Sequence, residues 1–168
     1  MVAHLDQFLE LRARFTEAVS DLRGARVLHG VMLEVPSACL QAREILEVAD
    51  FASVGTNDLL QYLFAVDRNN ELVAQDYPTK SPILWSLLGQ IAQAARDKRR
   101  PLSVCGEVAS DPDNLAKLLH MGFETVSVNP RLIGDVRKEA RRILTKQSRQ
   151  MQSPAASVQS SQDSDAAR

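Results

Sequence analysis

An α/β fold built on a parallel sheet is predicted for this chain of 168 residues. Three observations predict it. Short apolar runs of strand length recur at VLHGVML (27–33), DFASV (50–54), PLSV (101–104) and ETVSV (124–128). Segments with helical spacing of apolar residues separate them, so strand and helix alternate four times after a leading helix. Strands read as apolar on both faces and joined through helices belong to a parallel sheet covered by those helices.

The elements follow in order. Leu5 to Leu22 is amphipathic, with Leu5, Phe8, Phe15, Val19 and Leu22 at helical spacing. The first strand, 27–33, runs directly into Glu34, and Pro36-Ser37 opens a helix over 37–48. The second strand, 50–54, leads to a Gly-Thr-Asn-Asp turn and the short helical run DLLQYLF. Ser81-Pro82 pairs a cap residue with proline in the first turn, starting a helix that buries Leu84, Leu87, Leu88, Ile91 and Ala95 and stops near Lys98. The third strand, 101–104, meets Cys105. Asp111-Pro112 starts a helix that Gly122 closes, the fourth strand is 124–128, and a last helix runs from about Gly134 to Gln147.

Composition excludes several classes. The 45% hydrophobic and 24% charged content is ordinary for a globular protein, and a net charge of −1 argues against a general nucleic-acid or membrane-surface binder. No apolar run approaches the ~20 residues of a membrane span. The charged N-terminal stretch MVAHLDQFLELRARF has no signal-peptide pattern, and two cysteines, Cys39 and Cys105, suit reduced thiols. A cytoplasmic location is expected. The basic run RDKRR (96–100) reads as a solvated helix end. Residues 1–149 form the folded part, and 150–168, rich in Ser, Ala and Gln, reads as a disordered tail.

In parallel α/β folds, function gathers at the carboxyl ends of the strands. There stand Glu34 after the first strand, Asn57 and Asp58 after the second, Cys105 and Glu107 after the third, and Asn129 after the fourth. Glu34 and Asp58 on neighbouring strand ends suit a hard cation such as Mg²⁺, which takes one or two protein carboxylates and completes its shell with water and substrate oxygens. Asp58 alone equally suits a helix cap, and Glu34 a helix-entry charge. Arg68 suits a bidentate phosphate clamp or a surface partner for Asp67. Cys105 is a small buried hydrophobe or a proton donor at a strand exit. His4, His29 and His120 share no spacing and read as structural or solvated, and Trp85 as core.

Three stretches in order, GVMLEVPSA, DFASVGTNDLLQYLFAVDRNN and PLSVCGEVASDP, resemble the phosphoenolpyruvate (PEP)-binding barrel of the PEP-utilising enzymes. Within these they are most similar to the enzyme I type of phosphoenolpyruvate-protein phosphotransferase, with LEVPS and VDRNN leaning toward its nitrogen-related form. The resemblance covers roughly 1–145. It departs at Leu60, where Thr is more usual, and in CGEVASD, where CGEMAGD is usual.

The resemblance implies the last four strand-helix units of a (β/α)8 TIM barrel. It implies that Glu34 and Asp58 hold Mg²⁺, that Asn57 and Arg68 bind the phosphoryl group, and that Cys105 protonates the enolate carbon to give pyruvate. The phosphoryl acceptor in that family is a histidine on a separate domain, beside a subdomain that docks the histidine phosphocarrier protein. Early-strand arginines also grip PEP there. This stretch contains none of these, and a full barrel needs about 250 residues. The expectation is a self-associating chain that is inactive by itself. A non-catalytic remnant acting as an association module, and a fragment of a dikinase relative, are the alternative readings.

Overall fold

A computed structural model describes residues 1–21, 27–67, 69–70, 72–73 and 78–152, the last six by backbone alone. The leading helix α1 (Leu5–Ala18) is followed by β1 (Gly30–Leu33), α2 (Pro36–Leu40), α3 (Ala42–Val48), β2 (Phe51–Gly55) and α4 (Thr56–Phe64). Then come α5 (Pro82–Lys98), β3 (Leu102–Cys105), α6 (Glu107–Ser110), α7 (Pro112–Met121), β4 (Thr125–Ser127) and α8 (Ile133–Gln152). A 3-10 turn, Pro130–Leu132, leads into α8.

The strands lie in the order β1-β2-β3-β4, each parallel to the next. Because the order follows the sequence without reversal, the sheet is an arc of a (β/α) barrel. A doubly wound sheet would reverse its strand order. Registers Leu33↔Val54 and Gly55↔Cys105 bring the carboxyl ends of β1, β2 and β3 to one rim.

One face of the sheet makes the core. Val31, Leu33, Ala52, Val54, Leu102 and Val104 are buried against Leu84, Leu88 and Ile91 of α5 and their neighbours. Truncating Leu88 or Ile91 to alanine costs about 2–5 kcal/mol at sites so fully enclosed. The other face departs from the expectation of strands apolar on both sides. Its rows read Met32, Ser53, Ser103, Thr125 and then Gly55, Cys105, Ser127. Only Met32 and Phe51 on it are large and apolar, and both are partly exposed. The burial pattern alternates, so the run DFASV buries only Ala52 and Val54 toward the helices and turns Phe51 and Ser53 to the open face.

Element ends differ from the sequence reading for local reasons. The helix expected over 37–48 is broken at Gln41, whose backbone caps α2 and whose side-chain Oε1 accepts from Leu5 N at 3.0 Å, tying the break to α1. The caps at Ser81, Asp111 and Gly122 are as expected, Gly122 taking φ 96°. α8 starts one residue early and continues to Gln152, past the 150 boundary set for the tail, while residues 153–168 lie outside those described.

The RDKRR run is more than a solvated helix end. Arg100 donates to the carbonyls of Leu46 and Glu47 and so caps α3. Arg96 donates to the Met121 carbonyl at the end of α7, and Lys98 Nζ lies 2.5 Å from Glu47 Oε1. Cations at helix carboxyl ends complement the dipole there, so this run docks α5 to both neighbours. Trp85 is core, as expected, with Lys117 Nζ 4.0 Å above its ring. His29 packs edge-on against Phe15 at 5.1 Å.

Candidate active site

The rim gathers Glu34, Asn57, Asp58 and Cys105, each half-buried. Glu34 leaves β1 and lies across the end of β2. A Cβ on Gly55 would come within 3.0 Å of Glu34 Cβ and Oε2 and 3.3 Å of Met32 Sδ, so the glycine makes the space that the glutamate uses. Burial raises the Glu34 carboxyl above its ordinary value, the charge of Asp58 raises it further, and the amino terminus offsets part of this. A half-buried carboxyl raised further by a neighbouring carboxylate stands where positive charge is lacking. That electrostatic need fits a divalent cation. Among the described residues there is no group of three or more His, Cys, Asp or Glu that could hold a metal, so the pair would supply a minority of the ligands.

Cys105 ends β3 with its thiol 3.5 Å from the Val54 carbonyl, which accepts from it. Burial pushes the thiol up, a hydrogen bond from Ser53 brings it partly down, and Glu34 and Asp58 add to the rise. The group is therefore a neutral S–H at neutral pH, the form a proton donor requires and a nucleophilic thiolate does not. Cys39 is different. It is buried in α2 with its thiol pushed up to about 12, chiefly by burial, which makes it inert.

The turns after β2 and β3 are joined. Thr56, fully buried, donates its hydroxyl to the Cys105 carbonyl at 2.7 Å, and Asn57 Oδ1 accepts from Glu107 N at 2.9 Å. Between them Gly106 stands at φ 100°, where a Cβ would come 2.4 Å from Thr56 Oγ1 and 2.6 Å from Asn57 Oδ1. The glycine of CGE is required by crowding and backbone conformation together.

Glu34, Asn57, Asp58 and Cys105 thus converge. Arg68 lies outside the described residues. Two other strand-end groups are used differently: Asn129 is exposed and caps the 3-10 turn through Arg131 N at 3.0 Å, and Glu107 offers its backbone to Asn57 with its side chain exposed. Sequence reasoning missed Ser53, Gly55 and Thr56. The signal for Thr56 was its place inside GTND, next to residues already singled out.

The strand order and parallel pairing define an arc of a (β/α) barrel, with polar groups converging on its carboxyl rim. A family model described as "PEP-utilising enzyme, PEP-binding domain" matches residues 1–145, and the chain belongs to this family. It is 32% identical over 172 residues to a multiphosphoryl transfer protein of Escherichia coli O6:H1, covering 99% of this chain and 21% of that protein. It is 38% identical over 149 residues to a phosphoenolpyruvate-dependent phosphotransferase system protein of Salmonella typhimurium, covering 85% of this chain and 20% of that one. A phosphoenolpyruvate-protein phosphotransferase of Geobacillus stearothermophilus is 34% identical over 149 residues, covering 85% and 26% respectively. The chain therefore spans about a fifth to a quarter of the length of these relatives. In fold it is similar to a citrate lyase of Burkholderia xenovorans, with a TM-score of 0.65 at 16% identity, covering 89% of this chain and 53% of that one.

Proposed function

We propose that this chain carries part of the site at which a phosphoryl group passes from PEP to a protein histidine, as in the enzyme I type of phosphotransferase. The reading is carried by one observation. Glu34 and Asp58 stand at adjacent strand ends of a PEP-binding-domain fold, near enough that the Asp58 charge adds to the burial that raises the Glu34 carboxyl, beside a neutral thiol.

In this reading Glu34 and Asp58 would hold Mg²⁺, which would supply positive charge to offset the negative charge of bound PEP. Asn57 and Arg68 engage the phosphoryl oxygens, where donors count most as charge spreads in a loose transition state. When the bond between the enol oxygen and phosphorus breaks, the phosphoryl group leaves for the acceptor and the enolate remains. Cys105 gives its proton to the enolate carbon, producing pyruvate and leaving a thiolate that must be reprotonated. The histidine acceptor and the contacts to the phosphocarrier protein are not among the residues of this stretch and would be supplied from outside it. A cytoplasmic location agrees with such a partner, and no helix among the described residues is long and apolar enough to cross a membrane.

A chimera tests the reading: residues 1–145 replace the matching segment of the Geobacillus relative, and transfer from PEP to phosphocarrier protein is assayed with Mg²⁺. Turnover that Cys105→Ala removes is expected. A folded chimera that binds neither Mg²⁺ nor PEP would overturn it.

A further inference from the structure

We propose that Thr56 and Asn57 act as positioning residues, latching the turn after β2 to the turn after β3 so that the Cys105 thiol is held at one place on the rim. The role assigned to the thiol rests on the proposed function. The latch itself rests on geometry alone.

The latch has three parts. The Thr56 hydroxyl donates to the Cys105 carbonyl at 2.7 Å. Asn57 Oδ1 accepts from Glu107 N at 2.9 Å, two residues further along the same turn. Gly106 passes between these bonds with no room for a Cβ. Cys105 is thus fixed at its own carbonyl and again two residues on, while the sheet pairs it with Gly55 of β2 on the same side and Ser127 of β4 on the other. Its thiol faces the Val54 carbonyl and Ser53, both on the strand that delivers Thr56.

The arrangement carries a consequence for chemistry. Asp58 sits in the first turn of the helix that Thr56 and Asn57 begin, so the proposed metal carboxylate and the thiol are mounted on one tied unit. A proton donor has to stay within hydrogen-bond reach of the carbon it serves. An end of β3 held only by the sheet ladder would leave that distance to the fraying of a strand terminus. Thr56 is also one of only two buried polar side chains among the described residues, so its hydroxyl is committed to this carbonyl and not to solvent.

Alkylation tests the latch on the chain as it stands, without any activity assay. Iodoacetamide labelling under native conditions is followed by peptide mass mapping of Cys105 and Cys39 separately. Cys39 is fully enclosed and reports global opening. In Thr56→Val, Cys105 should be labelled about tenfold faster, the population change that loss of one hydrogen bond brings to a local opening. Cys39 should not follow, and Thr56→Ser should restore the slow rate. Should Thr56→Val fail to fold, the half-exposed Asn57 carries the test. Asn57→Ala should speed both Cys105 labelling and exchange of the Glu107 amide, and Asn57→Asp, which keeps the acceptor oxygen, should reverse this. Equal acceleration of Cys39 and Cys105, or no acceleration in a folded variant, would overturn the latch. Because no PEP is present, that result would leave the phosphoryl-transfer reading standing, and a failed chimera would leave the latch standing.

Discussion

The hydroxyl of Thr56 donates to the carbonyl of Cys105 across the gap between two strand ends, at 2.7 Å and out of contact with solvent. This bond and the Asn57 bond to Glu107 N crowd Gly106 so closely that its missing Cβ is part of the site. Gly106→Ala should therefore be costly. It places a side chain at φ 100° and within 2.6 Å of two polar atoms. Backbone strain of this kind costs of order 1–3 kcal/mol. Thermal unfolding should show a fall in Tm beyond that of Gly89→Ala, a glycine in α5 with nothing within 4 Å of its would-be Cβ. Equal Tm values for the two variants would mean that the turn relaxes freely.

The raised Glu34 carboxyl makes a prediction about pH. A group whose pKa is raised on folding binds its proton more tightly in the folded state. Its stabilising contribution is then full below the ordinary value of 4.5 and is lost as pH rises through the folded value. Above that window the ionised pair Glu34 and Asp58 destabilises the metal-free chain. Glu34→Gln should raise Tm at pH 7 in the presence of a chelator and have little effect near pH 4. A Tm gain that is the same at both pH values would show that the pair carries no such strain.

Cys105→Ala should separate binding from turnover in the chimera. The proposed function assigns metal and phosphoryl contacts to Glu34, Asp58, Asn57 and Arg68, and the proton on carbon to the thiol. PEP binding should persist while turnover falls by roughly 10²–10⁴, the range for a lost general acid. Loss of PEP binding by a folded Cys105→Ala variant would reassign the thiol to binding.

Both outer strands of the sheet, β1 and β4, have one edge with no strand beside it among the described residues. Beside β1, a cavity of about 360 Å³ is lined by Val2, Phe8, Leu11, Phe15 and Leu28, of which Leu11, Phe15 and Leu28 are exposed. Open strand edges next to apolar surface recruit further strands. The chain by itself should therefore self-associate, and sedimentation velocity at low micromolar concentration should show species larger than a monomer. A compact monomer that unfolds cooperatively would count against this.

The fold was legible because its cues are local. Ser81-Pro82, Asp111-Pro112 and Gly122 mark helix ends through their own side chains or backbone, and all three caps stand where expected. The break at Gln41 was not legible, since it depends on Leu5 from the far side of α1. The role of RDKRR was hidden for the same reason: the carbonyls that Arg96 and Arg100 cap belong to α7 and α3. At the rim, the positions of Glu34, Asp58 and Cys105 could be read from residue type and place after a strand. For Thr56 the only cue was its place inside GTND, since nothing in the sequence tells a buried threonine hydroxyl from a solvated one. The polar open face of the sheet needed the register, which turns every second residue of an apolar-looking run toward Ser103 and Thr125.

The central claim is that Glu34 and Asp58 together hold a divalent cation for PEP. Its most direct measurement is a titration of the chain with Mn²⁺ as a spectroscopic substitute for Mg²⁺, followed by electron paramagnetic resonance, with and without PEP. The account predicts one site per chain that PEP tightens and that Asp58→Asn weakens strongly. In the chimera the same substitution should raise the barrier by about 2.7–4 kcal/mol, the usual loss for a principal electrostatic contact. Mn²⁺ binding and turnover that are indifferent to Asp58→Asn would contradict the account and reduce Asp58 to a charge in the first turn of α4.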